Sequence, residues 1–187
     1  MNLTPLTLSA SEALKKLKLG NENYLTAKTN PADIAPDIRL KTYTEGQTPY
    51  AVIITCADSR VIPDHIFCAG IGDLFVIRVA GNIVGDIELG SIEYAVSHLK
   101  TPLILVMGHT HCGAVNAALQ KAAEGYAKFV TDEIALAIGD EHNDEQASKL
   151  NTLHTADKIK KALSGKYSNV TVISAIYRTD SGKVDFI

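Results

Sequence analysis

Two short apolar runs, each ended at once by a polar segment carrying cysteine, constrain this chain more than any other feature. The first is Tyr50-Ala51-Val52-Ile53-Ile54-Thr55, followed by Cys56-Ala57-Asp58-Ser59-Arg60. The second is Leu103-Ile104-Leu105-Val106-Met107, followed across Gly108 by His109-Thr110-His111-Cys112-Gly113. Both runs are mostly branched and bounded by Pro49, Pro102 and Gly108. Short apolar runs without polar alternation fit strands buried on both faces, as in a parallel sheet. Two Cys and a His at the C-terminal ends of two such strands suggest a Cys2His metal site. Three protein ligands leave one position open, which is the catalytic rather than the structural pattern for zinc.

The rest of the chain supplies the layers. Residues 1–8 read as a loose leader. Ser9 with Glu12 has the spacing of a capping box, and Leu14, Leu17, Asn21, Tyr24 and Leu25 mark one face of a helix to about Ala27. That helix packs on the sheet or on another subunit. Residues 29–49, rich in Pro, Asp, Thr and Gly, read as a connecting loop. A short helix to about Cys68 and a strand over Asp73–Val79 come next. Ala80–Gly85 is a turn, and a helix over Asp86–Leu99 has Ile87, Ser91, Tyr94, Ala95 and His98 along one side. A small-residue helix runs from near Cys112 to about Ala123. Further helices cover 128–138 and 144–163, the latter with Leu150, Leu153, Ile159 and Leu163 as apolar positions. Asn169–Arg178 and Lys183–Ile187, joined by a turn, read as a C-terminal hairpin. The alternation predicts an α/β fold: a mostly parallel central sheet wrapped by helices, with a C-terminal β-hairpin and an N-terminal helical arm. Ligands in such sheets sit at the carboxyl ends of strands, where both Cys segments fall.

Size and charge narrow the classes. A chain of 187 residues fits one domain, with 1–45 as helical arm and loop and 46–187 as the α/β core. A net charge of −3 gives no basic field for nucleic acid. No apolar run is long enough to span a bilayer, and no signal core is evident at the N-terminus. Three cysteines, two in metal-like spacing, argue against a disulfide framework and for a reducing, cytoplasmic setting.

The central residues suggest chemistry. In an extended segment Cys56, Asp58 and Arg60 share one face, which puts a thiolate, a carboxylate and a guanidinium in one pocket. Arg60 can hold Asp58 through a paired, charge-assisted hydrogen bond. His109 and Cys112 can meet the same ion across a strand-to-helix turn, and a helix start favours the Cys112 thiolate. Zn²⁺ with two thiolates and a neutral His is formally neutral, so it acidifies water less than a three-His site. An acceptor that fixes the water gains importance, and Asp58 suits that role; Asp58 can also swing onto the metal and close the fourth position. The plainer alternatives stand beside these. A single Cys is usually a buried small hydrophobe, and Cys68 reads as core. His111 reads as solvent-facing or as supporting the ligands, and His65 and His98 as surface or core residues. Arg78, inside an apolar strand, needs a partner, either an anion or an ion pair at a subunit contact. Gly81 and Gly85 read as turn glycines, since no phosphate-binding fingerprint is present.

These segments resemble the beta-class carbonic anhydrases. The resemblance rests on Cys56-Ala57-Asp58-Ser59-Arg60-Val61 and His109-Thr110-His111-Cys112-Gly113-Ala114. It is reinforced by Gly46-Gln47-Thr48-Pro49, by Gly72–Asn82, by Ser91–Val96, and by Ala175-Ile176-Tyr177 with Ser181–Val184. It is dense over residues 46–116 and thinner on both sides. It implies Zn²⁺ held by Cys56, His109 and Cys112, with Asp58 and Arg60 orienting the attacking hydroxide. It implies that Gln47, nine residues before the first Cys, binds CO2 or bicarbonate. The implied reaction is the reversible hydration of CO2 to bicarbonate and a proton by a zinc-bound hydroxide, in a homodimer or higher homo-oligomer whose N-terminal helix reaches over the partner. A subgroup that closes its zinc with the Asp carries a Trp three residues before the first Cys. Here that position is Ile53, which favours an open site at neutral to alkaline pH. The alternatives are carbon disulfide or carbonyl sulfide hydrolysis on the same zinc site, and a non-catalytic zinc-binding or redox-sensing protein.

Overall fold

The computed structural model describes residues 8–187, so the leader reading for residues 1–7 lies outside the described residues. Helix α1 (Ala10–Thr26) begins where its cap chemistry dictates. The Ser9 hydroxyl accepts from the Glu12 N–H, and the Glu12 carboxylate accepts from the Ser9 N–H. After α1 the order is α2 (Pro36–Glu45), β1 (Ala51–Thr55), α3 (Pro63–Ile66), β2 (Leu74–Arg78) and a 3-10 turn at Ala80–Asn82. Then come α4 (Asp86–Ser97), β3 (Leu103–His109), α5 (Gly113–Leu119), α6 (Ala127–Ile138), α7 (Asp144–Leu163), β4 (Thr171–Tyr177) and β5 (Val184–Phe186).

The five strands form one sheet in the order β2-β1-β3-β4-β5. The first four are parallel and β5 returns antiparallel on β4. β1 and β3, every residue of which is buried, lie side by side in the interior of the sheet. Alternate side chains feed opposite layers. Ile53, Leu105 and Met107 meet Ala13, Leu17 and Phe67 on the α1 and α3 side. Val52, Ile54, Ile104 and Val106 meet Ile92, Val96, Ala156 and Ile159 on the α4 and α7 side. The chain leaves β1 toward β2 on one side and reaches β3 on the other, so the strand order reverses between β1 and β3. The carboxyl ends of those two strands therefore frame the crevice in which such sheets bind ligands.

Several helix expectations are corrected. Residues 29–49 are not all loop: Pro36 starts α2, its missing N–H costing nothing at a first helical turn, and Gly46 (φ 82°) ends it. No residue of α2 is buried, so it lacks the apolar stripe by which a sequence announces a helix. On α4 the buried face is Ile92, Ala95 and Val96, whereas Ile87 and Tyr94 are exposed and Tyr94 stacks on His98. The inward stripe of α7 is small and polar (Ala147, Ser148, Asn151, Thr152, Thr155, Ala156), with Leu150 and Leu153 only half-buried. Cys68 is half-buried with φ 45°, at the end of a turn rather than in the core. α1 packs on its own sheet: Asn21 donates to the Gly182 and Ile66 carbonyls and accepts from the Val184 N–H. Among the described residues, no helix is long and apolar enough to cross a membrane.

Candidate metal centre

Cys56 follows β1 directly, His109 is the last residue of β3, and Cys112 is the cap of α5. The parallel register of β1 and β3 brings these two ends level, and the Thr55 hydroxyl locks them by donating to the Met107 carbonyl at 2.7 Å. The Cys56 and Cys112 sulfurs stand 3.9 Å apart. One donor atom from each of Cys56, His109 and Cys112 lies within 4.8 Å of the others, and all three residues are buried.

The histidine is set for coordination. Its Nδ1 lies 3.0 Å from the Thr110 carbonyl, to which only an N–H can donate. That places the lone pair on Nε2. Nε2 is buried with no hydrogen-bond partner among the described residues, a costly state for an acceptor unless something occupies it. Two sulfurs and one imidazole nitrogen are a soft donor set that suits a tetrahedral ion such as zinc. The residues present therefore fit a metal.

The two thiols are not equivalent. The contact between the two sulfurs holds Cys56 below its usual value, and the Gly81 amide adds to the effect against the cost of burial. The same contact, together with burial, pushes Cys112 up.

Asp58 and Arg60 lie at the rim. The segment is a tight turn rather than the extended run expected, because Asp58 Oδ1 accepts the Arg60 backbone N–H at 2.9 Å and the Asp58 carbonyl accepts from Val61. The turn brings the Arg60 side chain onto its own neighbour: Nε donates to Oδ1 at 3.0 Å and Nη2 to Oδ2 at 2.8 Å. These bonds, opposed in part by burial, hold the Asp58 carboxyl well below the usual range. Asp58 Oδ2 stands 4.0 Å from His109 Nε2, close to the donor cluster while engaged by Arg60.

The supporting residues were not apparent from spacing. Arg78 ends β2. It donates to the Cys56 carbonyl at 3.2 Å and the Asp58 carbonyl at 2.7 Å, bracing the turn from outside. The His111 side chain is solvent-facing and 3.5 Å from Asp144, while its carbonyl accepts from Arg60 at 3.1 Å. Gly81, in the 3-10 turn, donates its N–H to the Cys56 sulfur at 3.3 Å. Gln47 is not brought to the cluster. It is exposed and precedes β1, whereas Cys56 follows β1, and five extended residues span about 16 Å.

Comparisons with known proteins agree with this geometry. The family described as carbonic anhydrase matches residues 51–184. Carbonic anhydrase 2 of Mycobacterium tuberculosis is 44% identical over 131 residues, covering 67% of this chain and 63% of that protein. The chain thus spans a little under two thirds of the length of that relative. Among solved structures, the β-carbonic anhydrase CafA of Aspergillus fumigatus is 28% identical with a TM-score of 0.68, covering 81% of each chain. The Coccomyxa β-carbonic anhydrase, solved with acetazolamide, is 25% identical with a TM-score of 0.68, covering 100% of this chain and 86% of that one. The fold, the donor set at the ends of β1 and β3, and the match across both make this chain a member of the beta-class carbonic anhydrase family.

Proposed function

We propose that this protein catalyses the reversible hydration of CO2 to bicarbonate and a proton, with zinc held by Cys56, His109 and Cys112. Zinc held there supplies Lewis acidity, making hydroxide available from water near neutral pH. The observation that carries the reading is Asp58. A metal site with a purely structural task has no use for an ionised carboxylate fixed beside it, 4.0 Å from His109 Nε2.

Each residue has a part in that reaction. Asp58 accepts the hydrogen of the nucleophile and thereby aims an oxygen lone pair at the carbon of CO2. Arg60 keeps Asp58 ionised and fixes its plane, so Asp58 orients rather than removes a proton. The proton leaves to solvent or buffer. The bidentate grip also favours the open state over one in which Asp58 closes the fourth position. Gln47 lies at the far end of β1 in its own chain, so its contact with CO2 or bicarbonate comes from a second copy. The preceding helix α2, with Leu40 and Tyr43 exposed, suits a face that such a copy covers. We therefore read the working unit as a homo-oligomer. Cys56, Cys68 and Cys112 are all free thiols, which fits a reducing, cytoplasmic setting.

The test is a stopped-flow assay of the zinc-loaded protein with CO2 and a pH indicator, run beside an assay for sulfide release from carbon disulfide and carbonyl sulfide. Hydration in proportion to bound zinc supports the reading. Sulfide release without hydration replaces it with the hydrolase, and zinc binding with neither activity replaces it with a non-catalytic site.

A further inference from the structure

Asn151 of α7 takes hold of the turn that touches the metal centre. It is 1% exposed, and its Nδ2 donates to the Gly81 carbonyl at 2.7 Å. The turn it holds has a specific backbone: Gly81 (φ 69°) and Asn82 (φ 47°) are both left-handed, a conformation that glycine, and after it asparagine, adopts most readily. A side chain at Gly81 would also meet Ile134 Cδ1 at 2.6 Å. The product of this geometry is a backbone N–H aimed at the Cys56 sulfur at 3.3 Å.

We infer that Asn151 is a positioning residue for the metal's Cys56 ligand, holding Gly81 so that its amide donates to Sγ. The inference rests on the reading of Cys56, His109 and Cys112 as ligands. Its physical content is that an N–H bond to a metal thiolate orients the sulfur and draws off part of its charge. Partners that orient a ligand in this way are worth about 10- to 100-fold in metal affinity when removed. The amide assignment is dictated by its neighbour, because a carbonyl accepts only from the NH2 end of the side chain.

The experiment uses the cobalt- and zinc-loaded full chain with Asn151→Leu and Asn151→Ala, which remove the donor with and without its volume. Both variants should release zinc to a chelator at about 10- to 100-fold lower affinity. The sulfur-to-cobalt charge-transfer band should move to longer wavelength as the thiolate becomes a stronger donor. Ile159→Ala, on the same helix but packed in the α4 layer, should lower stability and leave the band in place. In the unaltered chain loaded with NMR-active cadmium, the Gly81 amide proton should show a coupling to the metal through Sγ, a readout that needs no variant to fold. An uncoupled Gly81 amide, an unmoved band with unchanged zinc affinity, or the same band shift in Ile159→Ala overturns the inference. A chain that takes up neither metal overturns the ligand reading and the inference with it. A chain that binds both metals and is indifferent to Asn151 overturns the inference alone.

Discussion

Arg60 grips Asp58 through two parallel hydrogen bonds, and the carboxylate so held lies 4.0 Å from His109 Nε2 without joining the donor cluster. Asp58→Ala should therefore leave bound zinc near one per chain while lowering CO2 hydration by about 100-fold or more, the order of effect of a lost acid–base or orienting group. Metal analysis and stopped-flow rates on the same preparation check both halves. Because Arg60 depresses the Asp58 carboxyl, Asp58 stays ionised through the mildly acidic range. A fall in rate between pH 8 and pH 5 should accordingly persist in its shape when Asp58 is replaced by Asn and residual activity is followed.

Metal should stabilise the fold as well as the reaction. The donor atoms are already gathered, and His109 Nε2 is buried without a partner among the described residues. Zinc at 100 times its dissociation constant should add about 2.7 kcal/mol by mass action. Thermal melts with and without a strong chelator will show the shift, and Cys56→Ser should abolish it.

Two helical glycines should respond in opposite directions to the same substitution. In α1, a Cβ on Gly20 would run into the Phe67 backbone carbonyl, which cannot move aside as a flexible side-chain tip would. In α4, Gly90 is exposed and has nothing near its missing Cβ. Gly20→Ala should destabilise by about 1–3 kcal/mol, and Gly90→Ala should stabilise by about 0.5–1 kcal/mol. Urea denaturation of the two variants beside the parent measures both.

Asp185 ties the C-terminal hairpin together. Lys183 at 2.7 Å and Arg178 at 2.6 Å hold its carboxyl below the usual value, and Arg178 reaches on to Glu145 of α7. A depressed carboxyl contributes stability that is complete above its unfolded value, about 3.9, and is lost as pH falls through the folded value. Allowing for solvent screening of the exposed lysine, Asp185→Asn should cost about 1 kcal/mol or less at pH 7. The gap between parent and variant should narrow below pH 4. Paired urea curves at pH 7 and pH 3 test the sign.

The features legible in the sequence are those whose signal is local. β1 and β3 announce themselves as branched apolar runs, and the metal donors as soft side chains placed at the ends of those runs. The Ser9–Glu12 cap is likewise a pattern of near neighbours. What stayed hidden depends on partners distant in sequence. The inward face of α7 is polar because its residues lie close against β3 and the Gly81 turn, so Asn151 looks like a surface residue until the turn is seen. Arg78 looks like a charge inside an apolar strand, and the two main-chain carbonyls it braces are partners that no composition reveals. α2 buries nothing within its own chain and so carries no stripe. Gln47 matches a family motif, yet the length of β1 separates it from the site.

The strand order also bears on how the chain comes off the ribosome. Synthesis proceeds from the N-terminus, so Cys56, His109 and Cys112 have all emerged before β4 has been made. Until β4 arrives, β3 is a bare, apolar edge of the kind that recruits other chains. Asn151 and the rest of α7 are also still to come. The nascent chain thus owns a full set of metal donors at its most aggregation-prone moment, and an ion captured then would rivet β1 to β3 while the sheet is incomplete. Zinc supply during expression, rather than zinc added afterwards, is the condition that should decide the yield of folded protein.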